Sequence, residues 1–171
     1  MLTAECGKVK MLHLFAATMV TVGDTAPAFT LTATDKSKVS LADHAGSRVV
    51  LAFYPAAFTG VCTSEMCAFR DSMSQLNDVG ATVFGVSVDS PFANGAFAKE
   101  NGIEFTLLSD VHRTMITDYG MTFENFVIDG YTVANRGVVI VEADGTVGYV
   151  WTCESLGEEP DYEAIVAHCS Q

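Results

Sequence analysis

Two cysteines five residues apart, Cys62 and Cys67, sit where an apolar run meets a stretch with helical spacing. The run Val49-Val50-Leu51-Ala52-Phe53-Tyr54 has the composition of a buried strand, and Met66 to Leu76 has the apolar period of a helix. Between them lies Pro55-Ala56-Ala57-Phe58-Thr59-Gly60-Val61-Cys62. A cysteine on such a strand-to-helix turn lies beside the first helical N–H groups. Those donors have no partner inside the helix, and with the helix dipole they favour a thiolate over a thiol. A buried cysteine can also be a small hydrophobe and nothing more. The Pro-led turn and the hydroxyls of Thr59 and Thr63 weigh against that reading. The chemistry to look for is therefore nucleophilic attack by Cys62.

Cys67 imposes a mechanical demand. On an ideal helix, residues five apart differ by ~140° around the axis and ~7.5 Å along it. Their Cα atoms are then roughly 8 to 9 Å apart, beyond the ~7 Å that a disulfide spans. If Cys62 is the first helical residue, the two sulfurs bond only when the first turns unwind. The alternative for Cys67 is core packing on the inner face of the helix.

The whole chain of 171 residues is 49% hydrophobic, enough for one domain with a real core. It contains no apolar run near the ~18 to 20 residues of a membrane span. Nine basic against 21 acidic residues give a formal charge of -12. That excludes nucleic-acid binding driven by basic side chains and disfavours an anionic membrane surface. A charge this lopsided suits either an ordinary acidic protein or one working in concentrated salt, where screening removes self-repulsion. The second reading is preferred. Five cysteines (Cys6, Cys62, Cys67, Cys153, Cys169) with no C-x-x-C and no zinc-type spacing point to redox thiols in a reducing cytoplasm, not to a secreted disulfide framework.

The elements that must position the cysteines follow from the pattern. Residues 28–33 alternate as a half-buried strand, and Val39-Ser40-Leu41 returns beside it after the turn at 35–38. Next come the strand at 49–54, a helix to about Asn77, a strand at 82–88 and a helix from Pro91 to near Gly102. A strand at 106–109 and a short helix over 114–119 precede an irregular stretch, 120–132, anchored by Phe123, Phe126 and Tyr131. Gly137 to Val141 and Val147 to Trp151 form a hairpin around Asp144-Gly145, and Tyr162 to His168 is the last helix. His44 reads as a surface residue. The order gives an α/β fold, a mixed central sheet with helices on both faces and an N-terminal β-hairpin extension. Lys8 and Lys10 ahead of the apolar stretch Met11 to Val20 look like a weak signal peptide, but no cleavage site follows. Residues 1–18, with Cys6, are expected to be an extension outside the chemistry, and 19–171 the single domain.

The stretch Pro55-x-x-x-Thr59-x-x-Cys62 resembles the active-site motif of peroxiredoxins, thiol peroxidases with a thioredoxin-like fold. Phe53-Tyr54-Pro55 ahead and Thr63-x-Glu65 behind share the likeness, and Asn135-Arg136-Gly137-Val138-Val139-Ile140-Val141 is similar to the segment carrying the family's arginine. The likeness covers about residues 20 to 168. Cys62 and Cys67 with Phe69-Arg70-Asp71 look like the peroxiredoxin Q (bacterioferritin comigratory protein) subgroup. Ala57-Phe58-Thr59-Gly60 and Ala134-Asn135-Arg136-Gly137 look like the one-cysteine alkyl hydroperoxide reductase E subgroup.

This resemblance implies an antioxidant enzyme whose Cys62 attacks hydrogen peroxide or an organic hydroperoxide and becomes a sulfenic acid. Arg136 would hold the thiolate and stabilise the leaving oxygen, Thr59 would orient thiolate and peroxide, and Pro55 would shield the sulfur. Main-chain N–H groups near Val61 and Cys62 would hold substrate oxygens, and Glu65 would orient Arg136. Arg70 reads as a surface ion pair. The sulfenic acid would be resolved by Cys67, by an external thiol, or by Cys153 or Cys169 within or between subunits. A disulfide would be recycled by a thioredoxin- or glutaredoxin-like reductant. No metal or organic cofactor is implied, and a homodimer packed through Phe92 and Phe123 to Phe126 is expected. Three rivals are weaker. A thiol–disulfide oxidoreductase without peroxidase activity predicts the absent C-x-x-C, and a Sco-type copper protein would need His112 or His168 in a motif that is not there. A domain that has lost its chemistry has no use for Thr59, Cys62 and Arg136 together.

Overall fold

The centre of the molecule is the strand β3 (Val49–Phe53), every residue of which is buried. Alternate side chains enter two separate cores, Val49, Leu51 and Phe53 on one face of the sheet and Val50 and Ala52 on the other. A strand covered on both faces reads as a continuous apolar run, which is why this segment is legible without alternation. The computed structural model describes residues 18–171. Apart from Thr18, the expected extension and its Cys6 lie outside the described residues.

Around β3 lies a seven-stranded sheet, in which β1 is Thr30–Ala33, β2 Lys38–Ser40, β4 Thr82–Ser87, β5 Thr106–Ser109, β8 Gly137–Val141 and β9 Val147–Thr152. The order is β2-β1-β5-β4-β3-β8-β9. β3, β4 and β5 run parallel, while β1 and β8 flank them antiparallel. The N-terminal hairpin thus extends one edge and the C-terminal hairpin the other. The helices are α1 (Gly60–Asp78), α2 (Pro91–Asn101), α3 (Thr114–Asp118) and α4 (Tyr162–Cys169). Phe69 and Leu76 of α1, Phe97 of α2 and Ile165 of α4 pack in one core, Met115 and Ile116 of α3 in the other. The expected mixed sheet with helices on both faces is the observed one.

Local chemistry sets the ends. Ser90 accepts from Ala93 N–H with Pro91 at the first turn of α2, and Gly102 closes that helix at φ +63. Asp161 caps α4 through Ala164 N–H. Arg70 donates to Asp71 and to the Asn101 carbonyl, so it ties α1 to the end of α2, away from Cys62.

Three expectations need correction. α1 begins at Gly60, so Cys62 is its third residue rather than its first. Thr59 is the residue that leaves the strand and enters the helix, and the helical period could not show this because Gly60 and Val61 add no clear apolar signal. The stretch 120–132 is not wholly irregular. Thr122–Phe123 (β6) pairs with Val133–Ala134 (β7) as a separate two-stranded ribbon, too short to leave a period. His44 is half-buried, its ring edge-on to Phe84 at 5.0 Å.

The surface charge is sparsely compensated. Of four arginines, Arg48, Arg70 and Arg136 meet a carboxylate, while Arg113 bonds the carbonyls of Thr132 and Val111. Most carboxylates therefore repel one another through water. Between ~0.1 M and ~1 M sodium chloride the screening length falls from ~10 Å to ~3 Å. The thermal midpoint is expected to rise by about 3 °C or more over that range, equivalent to roughly 1 kcal/mol in a domain of this size. A midpoint that does not move in a salt series refutes the high-salt reading.

Candidate active site

β3 ends at Phe53, the chain turns through Pro55 to Thr59, and α1 starts at Gly60. Thr59 has the extended backbone of an N-cap (φ -87, ψ 149), but its side chain makes no capping bond. Its hydroxyl instead donates to the Ala56 carbonyl at 3.2 Å. The first ladder bond runs from Thr63 N–H to the Thr59 carbonyl. Among the described residues, no acceptor meets the N–H groups of Gly60, Val61 and Cys62. No acidic side chain occupies the first turn either. These donors and the dipole they terminate face the mouth of a cleft and favour an anion there.

Arg136 reaches this turn by strand register. Phe53 pairs with Gly137 in the antiparallel ladder of β3 and β8, so the residue before β8 stands opposite the residue after β3. Gly137 must be glycine for this approach. A Cβ there would lie 2.9 Å from the Trp151 carbonyl oxygen and 3.0 Å from the Met121 sulfur. The Arg136 side chain is 2% exposed and fully engaged. Nη2 lies 3.4 Å from Cys62 Sγ, Nε donates to the Leu156 carbonyl at 3.1 Å, and Nη1 contacts Glu65 Oε2. Cys62 is 1% exposed, in the core cluster of Tyr54, Met66 and Phe69. A guanidinium against a buried sulfur stabilises negative charge on it.

Glu65, about one helical turn beyond Cys62, is fully buried, and among the described residues its Oε1 has no hydrogen-bond partner. An arginine partner ordinarily lowers a carboxyl's pKa. Here complete desolvation outweighs Arg136 and raises Glu65 to about 8. A largely neutral Glu65 leaves the guanidinium's charge to the sulfur. With Glu65 ionised as well as Cys62, the buried trio would carry an uncompensated negative charge.

The cleft over Cys62 holds about 180 Å³, floored by Pro55, Thr59, Gly60 and Val61 and walled by Arg136, Phe126 and Leu156. A larger hollow of about 260 Å³ beside His44 contains no thiol and no arginine. The structure therefore brings Pro55, Thr59, Val61, Cys62, Glu65 and Arg136 together. Cys67, half-buried, lies on the same unbroken helix as Cys62. Cys153 follows β9 and donates its N–H to the Arg136 carbonyl at 3.1 Å, with burial pushing its thiol pKa up. Cys169 is buried at the other end of the sheet, where its carbonyl takes Arg48, the residue before β3. The five residues of β3 put ~17 Å between those ends, so Cys169 is not placed to resolve Cys62 of the same chain.

Sequence reasoning did not find Phe126, Leu156 or Asp89. Leu156 acts through a main-chain carbonyl, which no residue type announces. Phe126 is a packing anchor that borders the cleft as well. Asp89 lies just ahead of the helix that starts at Pro91, and its Oδ2 accepts the Ala57 N–H at 2.8 Å and so holds the turn. An acid at a strand's C-terminal end, beside the turn of the neighbouring parallel strand, is the one signal available.

The chain matches the model of the AhpC/TSA family over residues 22–150. It is 37% identical over 130 residues to peroxiredoxin Bcp of Escherichia coli, covering 75% of this chain and 83% of that protein. It is 36% identical over 158 residues to the thiol peroxidase of Streptococcus gordonii, covering 90% and 91%. Among solved structures it superposes on a peroxiredoxin-like protein from Aquifex aeolicus with a TM-score of 0.81 at 27% identity, covering 90% and 88%. It superposes on peroxidoxin BcpB from Mycobacterium tuberculosis with a TM-score of 0.76 at 29% identity, covering 86% and 95%.

Glu65 gives this site a measurable pH signature. A carboxyl raised from 4.5 to about 8 contributes stability that is fully present below the unfolded value and lost as pH rises through 8. Between about pH 5 and 8 the wild type should lose stability relative to Glu65→Gln, by a few kcal/mol at most. Urea midpoints with parallel pH dependence in the two proteins would contradict this. Glu65→Ala, which leaves one buried guanidinium donor without its acceptor, should cost about 1 to 3 kcal/mol at neutral pH.

Proposed function

The chain belongs to the AhpC/TSA family and is a thiol-dependent peroxidase of the peroxiredoxin type, and on that premise we propose that Cys62 is its peroxidatic nucleophile and Cys67 the residue that resolves it. The observation that carries the reading is the buried sulfur with Arg136 Nη2 at 3.4 Å, set over the free N–H groups of a helix start. The Cys62 thiolate attacks the terminal oxygen of a hydroperoxide in line with the O–O bond. The S–O bond forms, the O–O bond breaks, and the leaving alkoxide or hydroxide departs with a proton as alcohol or water. Cys62 is left as sulfenic acid. Arg136 and the N–H groups of Val61 and Cys62 stabilise charge on the departing oxygen, preorganised and largely shielded from water. Thr59, whose hydroxyl hydrogen goes to Ala56, keeps its oxygen free to accept from the peroxide O–H. Pro55 closes the floor, and Glu65 fixes one edge of the guanidinium.

Cys67 then attacks the sulfenic sulfur. The S–S bond forms, the S–O bond breaks, and water leaves. Two electrons from a thioredoxin- or glutaredoxin-like dithiol restore both thiols. Hydrogen peroxide and organic hydroperoxides are the substrate class, because the cleft combines apolar walls with an open mouth. The cytoplasm, which keeps free thiols reduced, is the fitting compartment. The exposed side chains of Phe92, Val127 and Ile128, with half-buried Phe123 and Phe126, offer apolar surface for a homodimer. A second reading has its own support. Both cysteines lie within one continuous helix, which favours direct reduction of the sulfenic acid by an external thiol.

Stoichiometric hydrogen peroxide followed by intact mass after thiol blocking tests this. The wild type should lose two free thiols, Cys67→Ser should gain one oxygen, and Cys62→Ser should show no fast consumption. Arg136→Ala should slow the attack by about 10²- to 10³-fold. Fast consumption surviving in Cys62→Ser would sink the assignment. A stable added oxygen in the wild type would favour the external thiol.

A further inference from the structure

The turn that carries the catalytic residues is strained and held at few points. Phe58 sits at φ +64, in the left-handed region that a bulky side chain rarely adopts. Its ring is 53% exposed and rests edge-on to Phe97 at 5.3 Å. The last ladder bond before the turn runs from Tyr54 N–H to the Val86 carbonyl. Beyond it, among the described residues, the turn's polar tie to the rest of the fold is the Ala57 N–H, donated to Asp89 Oδ2 at 2.8 Å.

The Asp89 carboxylate is itself fixed from behind. The Ser87 hydroxyl donates to Oδ2 at 2.9 Å and accepts from Asp89 N–H at 3.2 Å. The same hydroxyl accepts from Nδ2 of Asn94, a fully buried residue that also takes the Tyr54 hydroxyl at 2.8 Å. β4, α2 and the residue before Pro55 thus form one polar network ending in a single acceptor aimed at the turn. A fully buried asparagine and serine are costly to place unless they fix something, and what they fix is this carboxylate.

We propose that Asp89 is a positioning residue: by latching Ala57 it holds the strained turn closed for attack on peroxide and sets how often the first turns of α1 open for Cys67. This rests on the reading in which Cys67 resolves Cys62. The geometry places two opposed demands on the turn. Attack needs Thr59, Cys62 and the free N–H groups in place, whereas disulfide formation needs them displaced. A hydrogen bond at Ala57 favours the first state over the second, and Phe58 strain pushes the other way. A side chain that never touches substrate therefore divides the protein between its two chemical steps.

Asp89→Ala removes the acceptor, and Asp89→Asn keeps a neutral one through Oδ1. In Asp89→Ala, conversion of sulfenic acid to disulfide should run about tenfold faster, the worth of one hydrogen bond to a charged group. Attack on peroxide in the same protein should be unchanged or slower. Asp89→Asn should return both rates towards wild type. Stopped-flow mixing with one equivalent of hydrogen peroxide reads both steps. In a Cys67→Ser background, iodoacetamide should label the resting Cys62 about tenfold faster when Asp89 is Ala, because the 1% exposed sulfur is uncovered more often. That labelling reads the latch even if the wild type forms no disulfide, so failure of the latch and failure of the Cys67 reading are separable. Rates that fall together, or labelling that does not change, overturn the proposal.

Discussion

A guanidinium that is 2% exposed is the constraint on which the rest of this structure depends. Removing such a charge from water costs several kcal/mol unless its donors are met. Arg136 meets that demand with the Leu156 carbonyl, Glu65 and Cys62. Each partner fixes something else in turn. Leu156 pins the segment after β9, Glu65 pins the second turn of α1, and Cys62 is the sulfur the reaction uses. The arginine is thus both a structural keystone between β8 and α1 and the cation of the site. Glu65 makes the arrangement tolerant of a thiolate, because its full burial favours the neutral acid and keeps net negative charge from accumulating beside the sulfur.

Much of this was legible in the sequence, and for identifiable reasons. β3 and β8 are uninterrupted apolar runs because both faces of the central sheet are covered. The hairpin at Asp144-Gly145 and the start of α2 at Ser90-Pro91 carry residue types that their backbone geometry requires. Cys62, Thr59 and Arg136 could be singled out because packing alone asks for none of them. What could not be read falls into two kinds. The ribbon of β6 and β7 is too short for a period to register. Contacts made through main-chain atoms, such as Leu156 to Arg136 and Ala57 to Asp89, depend on how distant loops close and leave no trace in residue type.

The start of α1 shows how a small boundary error alters chemistry. With Cys62 as the first helical residue, its sulfur would lie at the edge of the turn. As the third residue, it points back across the opening turn into the core, while Thr59, Gly60 and Val61 frame the entrance. The same shift places Glu65 fully inside the helix, beneath the arginine. A helix end that spends no side chain on capping is ordinarily a weakness. Here the uncapped donors are the feature that receives an anion, and the missing capping bond goes to the turn's own carbonyl at Ala56.

The register of β3 against β8 brings together residues 74 positions apart in the chain. A ribosome-bound or partly unfolded chain therefore carries a cysteine with no cation beside it. Only when β8 pairs with β3 does the sulfur acquire its charged neighbour. Reactivity in this protein belongs to the paired strands and to no local segment.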